Sequence, residues 1–135
     1  MPLDLTPLTK ALKTLKEALV EYGGNPTNEL MRDGCIQRFE YCYELSHKML
    51  RRHLELMEGS FAEVDVLAFP DRIRLAAERG LLKNSWNAWY KFREARNKTS
   101  HIYNAVIAAE VYAVIPDFLE EAEFLLAALE KGNMN

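Results

Sequence analysis

Cysteine is scarce in these 135 residues, and histidine nearly so: two of the first and three of the second. No Cys-x-x-Cys pair occurs, and the histidines are scattered, so no zinc site is readable and no metal or other cofactor is expected. Cys35 and Cys42 stand seven apart. On a helix that stacks them two turns apart on one face, with Cα atoms about 10 Å apart and out of disulfide reach. They are expected to be buried thiols in a reducing compartment. No apolar run approaches membrane-spanning length. Met1-Pro2-Leu3-Asp4 has neither the basic nor the apolar region of a secretory signal. The expectation is a cytoplasmic protein with no membrane partner. An excess of positive charge is missing too. The formal net charge of −3 excludes a broad basic surface for nucleic acid and leaves room for a local basic pocket. Strand alternation, internal repeats, low-complexity tracts and linkers are all absent.

What is there reads as helices. Hydrophobic content of 49% and charged content of 27% are those of one ordinary globular domain spanning residues 1–135. Leu5, Leu8, Leu12, Leu15, Leu19 and Tyr22 recur in steps of three and four, an inward stripe with lysines outside it. Gly23-Gly24-Asn25-Pro26 stops this helix. Thr27 or Asn28 then caps a second one from Glu29 to Met57, ended by Glu58-Gly59-Ser60. Leu30, Ile36, Phe39, Tyr43, Leu50, Leu54 and Met57 are predicted on or near its inner face. Gly34 inside it points to a close helix crossing. A short helix is predicted from Pro70 to about Arg79, with Gly80 as its stop. Asn84 or Ser85 caps the next, which carries Trp86, Trp89, Tyr90 and Phe92. From Ala105 the apolar period resumes through Ile107, Val111, Ile115, Phe118, Leu119, Leu125 and Leu129, and Pro116 should kink or interrupt that helix. The fold class is all-α: an antiparallel up-and-down four-helix bundle with one short extra helix.

Between the last two helices lies Arg96-Asn97-Lys98-Thr99-Ser100-His101-Ile102-Tyr103. The stretch gathers a permanent cation, an imidazole, a carboxamide, two hydroxyls and a phenol into about two turns. On a continuous helix Arg96 and His101 would point about 140° apart. Two arrangements bring them to one substrate. The helix breaks near Thr99-Ser100, whose hydroxyls compete for backbone groups, or a two-fold copy supplies the missing half. Histidine and arginine suit RNA cleavage without a metal. The ribose 2′-hydroxyl is the nucleophile, an imidazole moves its proton, and a guanidinium steadies charge on the phosphoryl oxygens. Asn97 and Ser100 are candidates to hold the phosphate or fix the imidazole tautomer. DNA, lacking the hydroxyl, would be inert.

Blander roles fit the same residues. Arg96 would pair with Glu94 or another nearby carboxylate, His101 would be a cap or a satisfied buried histidine near a helix break, and Tyr103 would be half-buried. Trp86 and Trp89 fit core or dimer interface better than a base-stacking platform. Glu40 and Glu44 need no more than surface exposure. His47 and His53, among Lys48, Arg51 and Arg52, read most simply as a solvated helix face, with a partner or RNA edge as the alternative.

Arg96-x4-His101-x-Tyr103 resembles the signature of the HEPN superfamily, in particular its HepT-like members. The stretch from Met31 to Lys48, with Arg38-Phe39-Glu40 at its centre, resembles the long second helix of the branch called nucleotidyltransferase substrate-binding proteins. The resemblance runs from about Leu5 to Leu129. It departs at Gly34, where alanine is more usual, and at His47, where tryptophan is. The resemblance implies a four-helix bundle forming a homodimer, with the motif near a cleft between subunits. It implies that Arg96 and His101 are ribonuclease residues. It further implies that a minimal nucleotidyltransferase partner transfers AMP to Tyr103, as an antitoxin neutralising a toxin. The alternative within the same branch is a non-catalytic substrate-binding subunit of a two-subunit nucleotidyltransferase.

Overall fold

The computed structural model describes residues 2–59 and 61–134. Four long helices make the bundle: α1 (Thr6–Gly24), α2 (Glu29–Glu58), α5 (Trp86–Asn97) and α6 (Ala105–Asn133). Two short ones, α3 (Phe61–Asp65) and α4 (Phe69–Glu78), lie between α2 and α5. No strand occurs among the described residues. The all-α bundle is as the periodicity predicts, with α3 as an added short helix.

Pairings along the helices give the directions. Tyr22, near the end of α1, packs edge-on against Tyr112, near the start of α6, at 4.9 Å. At the other end the Leu3 N–H donates to Asn133 Oδ1 at 3.0 Å. So α1 and α6 run antiparallel. Phe39 meets Phe118 at 5.0 Å and His53 lies against Gly132, so α2 and α6 run parallel. Successive long helices alternate in direction, the up-and-down pattern of short-loop bundles.

The core follows two heptad-like seams. On α6 the buried apolar residues are Ala108, Val111, Ile115, Phe118, Ala122, Leu125 and Leu129, in strict steps of three and four. On α2, Cys35, Phe39, Cys42, Ser46, Met49 and His53 do the same. Trp89 of α5 is completely buried against Tyr43 and Phe92. Both cysteines are free and buried, as expected. Burial pushes the Cys42 thiol up to about 12, so it is an inert core residue.

Several expectations are corrected. Leu30 is 85% exposed, because it lies about 120° around α2 from Ile36. Met57 keeps the inner register but is half-exposed. It falls in the last turn of α2, beyond the level at which Gly132 ends the cover from α6. Gly34 marks no crossing: a Cβ built there meets nothing within 4 Å. It lines an open cavity with Lys16, Val20, Met31 and Arg38 instead. Pro116 does not interrupt α6, which runs unbroken. Pro116 sits on the exposed face, where water can satisfy the carbonyl its ring leaves free. His53 is buried, not solvated. Asn28 caps α2, accepting from the Met31 N–H, and Gly59 ends it at φ 70°. The Ser60 part of the expected stop lies outside the described residues. Gly80, at φ 75°, ends the α4 segment.

Candidate functional site

The eight-residue cluster sits where the chain turns from α5 into α6. α5 ends at Asn97, a single 3₁₀ turn covers Thr99–His101, and α6 begins at Ala105. The backbone reason is local. The Thr99 hydroxyl donates to the Arg96 carbonyl at 2.9 Å, taking an acceptor that would otherwise end the helix unsatisfied. The His101 N–H then bonds the Lys98 carbonyl at 3.0 Å, and the Asn104 N–H bonds the His101 carbonyl at 3.1 Å. Asn104 restarts the helix: its side-chain oxygen accepts from the Val106 and Ile107 N–H groups at 2.9 and 3.2 Å. Lys98 reaches Glu110 at 3.5 Å and ties the turn to α6. The break expected near Thr99-Ser100 is therefore present, and it removes the fixed separation of about 140° that a continuous helix imposes.

Arg96 occupies the last turn of α5, half-buried. Its Nε donates to Glu44 Oε1 of α2 at 2.5 Å. The partner is thus a carboxylate 52 positions away, not Glu94. The bond uses Nε, so the two terminal nitrogens of the guanidinium remain for a second acceptor. Asn97, Ser100 and His101 are exposed. Tyr103 is 86% exposed, against the half-buried reading, and its ring stands edge-on to that of His101 at 6.2 Å. The structure thus joins His101 to Tyr103, and Arg96 to Glu44. All lie on the accessible surface of one protomer.

The basic run around His47 has a partner that sequence reasoning did not supply. His47 of α2 lies beneath α4. Its ring packs edge-on to Phe69 at 5.0 Å, and its Nε2 is 3.2 Å from Arg72 Nη1. Burial, then the charges of Arg72 and Arg51, hold the imidazole down at about 4. Arg72 also donates to the Val64 and Leu67 carbonyls, clasping the α3–α4 segment. No linear signal joins positions 47 and 72. Elsewhere, buried Glu121 accepts the Lys83 and Asn84 N–H groups at 2.7 and 2.9 Å, fixing the entry to α5. Among the described residues no three His, Cys, Asp or Glu side chains group as metal ligands. None of the described helices is long and apolar enough to cross a membrane.

Residues 3–131 match the family described as nucleotidyltransferase substrate binding protein like. The chain belongs to this family. It is 34% identical over 139 residues to "Probable ribonuclease HepT" of Haemophilus influenzae, covering 97% of this chain and 94% of that one. A solved Haemophilus influenzae structure, described as the substrate-binding domain of a nucleotidyltransferase, superposes with a TM-score of 0.87 at 33% identity. It covers 94% of this chain and 99% of its own. A crystal structure from Thermus thermophilus gives a TM-score of 0.72 at 33% identity, covering 90% of this chain and 98% of its own. Membership of the nucleotidyltransferase substrate-binding family accounts for the bundle and its long second helix.

Proposed function

We propose that this chain is a HepT-like endoribonuclease that cleaves RNA as a homodimer without a metal. A minimal nucleotidyltransferase partner then silences it by AMP transfer to Tyr103. The observation that carries the reading is the helix break, which presents Arg96 and His101 five positions apart at an accessible turn. Similarity to a protein named as a HepT ribonuclease supports it.

The chemistry follows from the groups. The ribose 2′-oxygen attacks phosphorus as its proton passes to an imidazole. The P–O2′ bond forms and the P–O5′ bond breaks. The departing 5′-oxygen takes a proton from a second imidazole. His101 and the partner subunit's His101 supply the two. Arg96, held by Glu44 through Nε, offers its fork to the non-bridging oxygens. Asn97 and Ser100 bind the phosphate beside it. In the silencing step, the Tyr103 phenol oxygen attacks the α-phosphorus of ATP and pyrophosphate leaves. The phenol proton passes to solvent. The new adenylate sets negative charge and bulk beside Arg96.

The test is RNA cleavage in EDTA at neutral pH by purified unmodified protein. Arg96→Ala and His101→Ala, each checked for folding by circular dichroism, are expected to lose activity by about 10²-fold or more. Wild-type protein that leaves RNAs of varied sequence intact overturns the catalytic reading. It would leave the non-catalytic substrate-binding subunit as the reading.

A further inference from the structure

We propose that the hollow along α2 beside Glu44, next to the contact of His47 with Arg72, is a second phosphate subsite that takes a backbone phosphate of the RNA strand neighbouring the one at Arg96. The inference rests on the RNA-cleaving reading for its ligand, and on its own geometry for the site. The cleft has a volume of about 420 Å³ and is lined by Glu44, Leu45, His47, Lys48 and Arg51. Behind it lies Arg72, only 8% exposed. Among the described residues no carboxylate comes within ion-pair distance of Arg72, and its Nε has no hydrogen-bond partner. Arg51 faces Glu55 at 3.6 Å, too long for a hydrogen bond, so its Nε is also unpartnered. Arg93 stands over the Phe69 ring at 5.3 Å. Lys48 has no ion-pair partner among the described residues.

The charge is therefore uneven. Lys48 and Arg51 line the hollow, and Arg72 and Arg93 bear on its His47. Against these four cations stand Glu44, which is bonded to Arg96, and Glu55, which pairs with Arg51 and with Asp65 acts on Arg72. On a protein of net charge −3 such a local excess of cations favours an anion. The depressed titration of His47, driven in part by Arg72 and Arg51, reports the same positive field. The hydrogen-bond logic agrees. An arginine can only donate, so His47 Nε2 accepts from Arg72 Nη1 and Nδ1 carries the proton. The subsite thus offers ammonium and guanidinium donors beside the His47 ring, with one lining acceptor, the Glu44 carboxylate, bonded to Arg96. A strand phosphate is favoured over a free nucleotide because Glu44 lines the cleft and also holds Arg96. Lys48 and Arg51 follow Glu44 by one and two turns of α2, about 6 and 10 Å along its axis, a span suited to successive phosphates of one chain.

The test uses the full chain and a fluorescent 2′-O-methyl RNA oligonucleotide, which binds but cannot be cut because its nucleophile is blocked. Affinity is read by anisotropy over a salt series, with His47 ring signals followed by NMR. Lys48→Ala is expected to weaken binding roughly fivefold and to reduce the slope of log K against log salt by about one. Arg51→Ala should do likewise, and Lys48→Arg should restore both quantities. His47 should shift on adding RNA, and ATP or inorganic phosphate should compete only at far higher concentration. Unchanged affinity and slope in Lys48→Ala overturn the subsite, as does wild-type protein that does not bind the oligonucleotide. ATP binding as tightly as RNA would assign the cleft to a free nucleotide and overturn the strand assignment. A protein that fails to cleave RNA yet binds this probe through Lys48 keeps the subsite and loses the ribonuclease. One that cleaves with Lys48-independent binding does the reverse.

Discussion

At the residue scale, the chemistry is set by partners that are remote in sequence. Arg96 is held by Glu44, and His47 by Arg72. Helical arithmetic places Arg96 on a face of α5 but says nothing of which α2 carboxylate will face it, so only the kind of partner was legible. His47 and His53 looked like members of a solvated basic run, yet the seam of α2 buries His53, and His47, off that seam, is partly covered by Phe69 and Arg72 of α4. Two histidines held down in the fold have a consequence for stability. Burial disfavours the charged imidazole at each, so the unfolded chain binds more protons as the pH falls below the ordinary histidine value of about 6.5. Stability is full above that value. It is lost as the pH falls towards about 4, where folded His47 itself titrates. Urea unfolding at pH 7.5, 6 and 5 should show this decline, and His47→Gln should flatten part of it. A pH-independent midpoint over that range would contradict the assignment.

At the scale of elements, apolar spacing located every long helix, because α1, α2, α5 and α6 each bury one stripe against the others. The stops were legible for the same local reasons that the structure displays: Asn25 after α1, Gly59 after α2, Gly80 after α4. α3 was not legible, since five residues carry no period. Gly34 and Gly132 test how glycine is used. A methyl group at Gly34 meets open space, so Gly34→Ala should stabilise the protein by up to about 1 kcal/mol through helix propensity. At Gly132 the new Cβ would sit 2.5 Å from His53 Cε1, and buried His53 has little room to yield. Gly132→Ala should therefore lower the melting temperature, and His53→Ala in the same chain should recover part of the loss. Thermal unfolding of the three variants beside the wild type reads both. A destabilised Gly34→Ala would restore the close-crossing interpretation of that residue.

At the scale of the whole molecule, the proposed activity needs assembly. One protomer offers one His101, and the cleavage scheme uses two imidazoles. Two-fold symmetry supplies the second without any new residue. Tyr103 stands clear of its own protomer, as a side chain must if another enzyme is to reach it. Incubation with the cognate nucleotidyltransferase and ATP should add the mass of one AMP to a peptide containing Tyr103. Tyr103→Phe should abolish the addition, and label on any other residue would refute the silencing mechanism. The motif itself was legible because its side-chain types are concentrated in a short polar stretch between apolar helices. The Lys48–Arg51 run was legible as a candidate RNA edge, but the approach of Arg72 to His47 was not, because α4 returns Arg72 to α2 only in the folded chain.

The central claim is that Arg96 and His101 cleave RNA through its own 2′-hydroxyl. End-group analysis by mass spectrometry, on fragments made by unmodified protein in EDTA, tests it most directly. The account predicts fragments ending in a 2′,3′-cyclic phosphate, each paired with a free 5′-hydroxyl, and no such fragments from His101→Ala. Fragments with a linear 5′-phosphate, or cleavage that survives in His101→Ala, would contradict it.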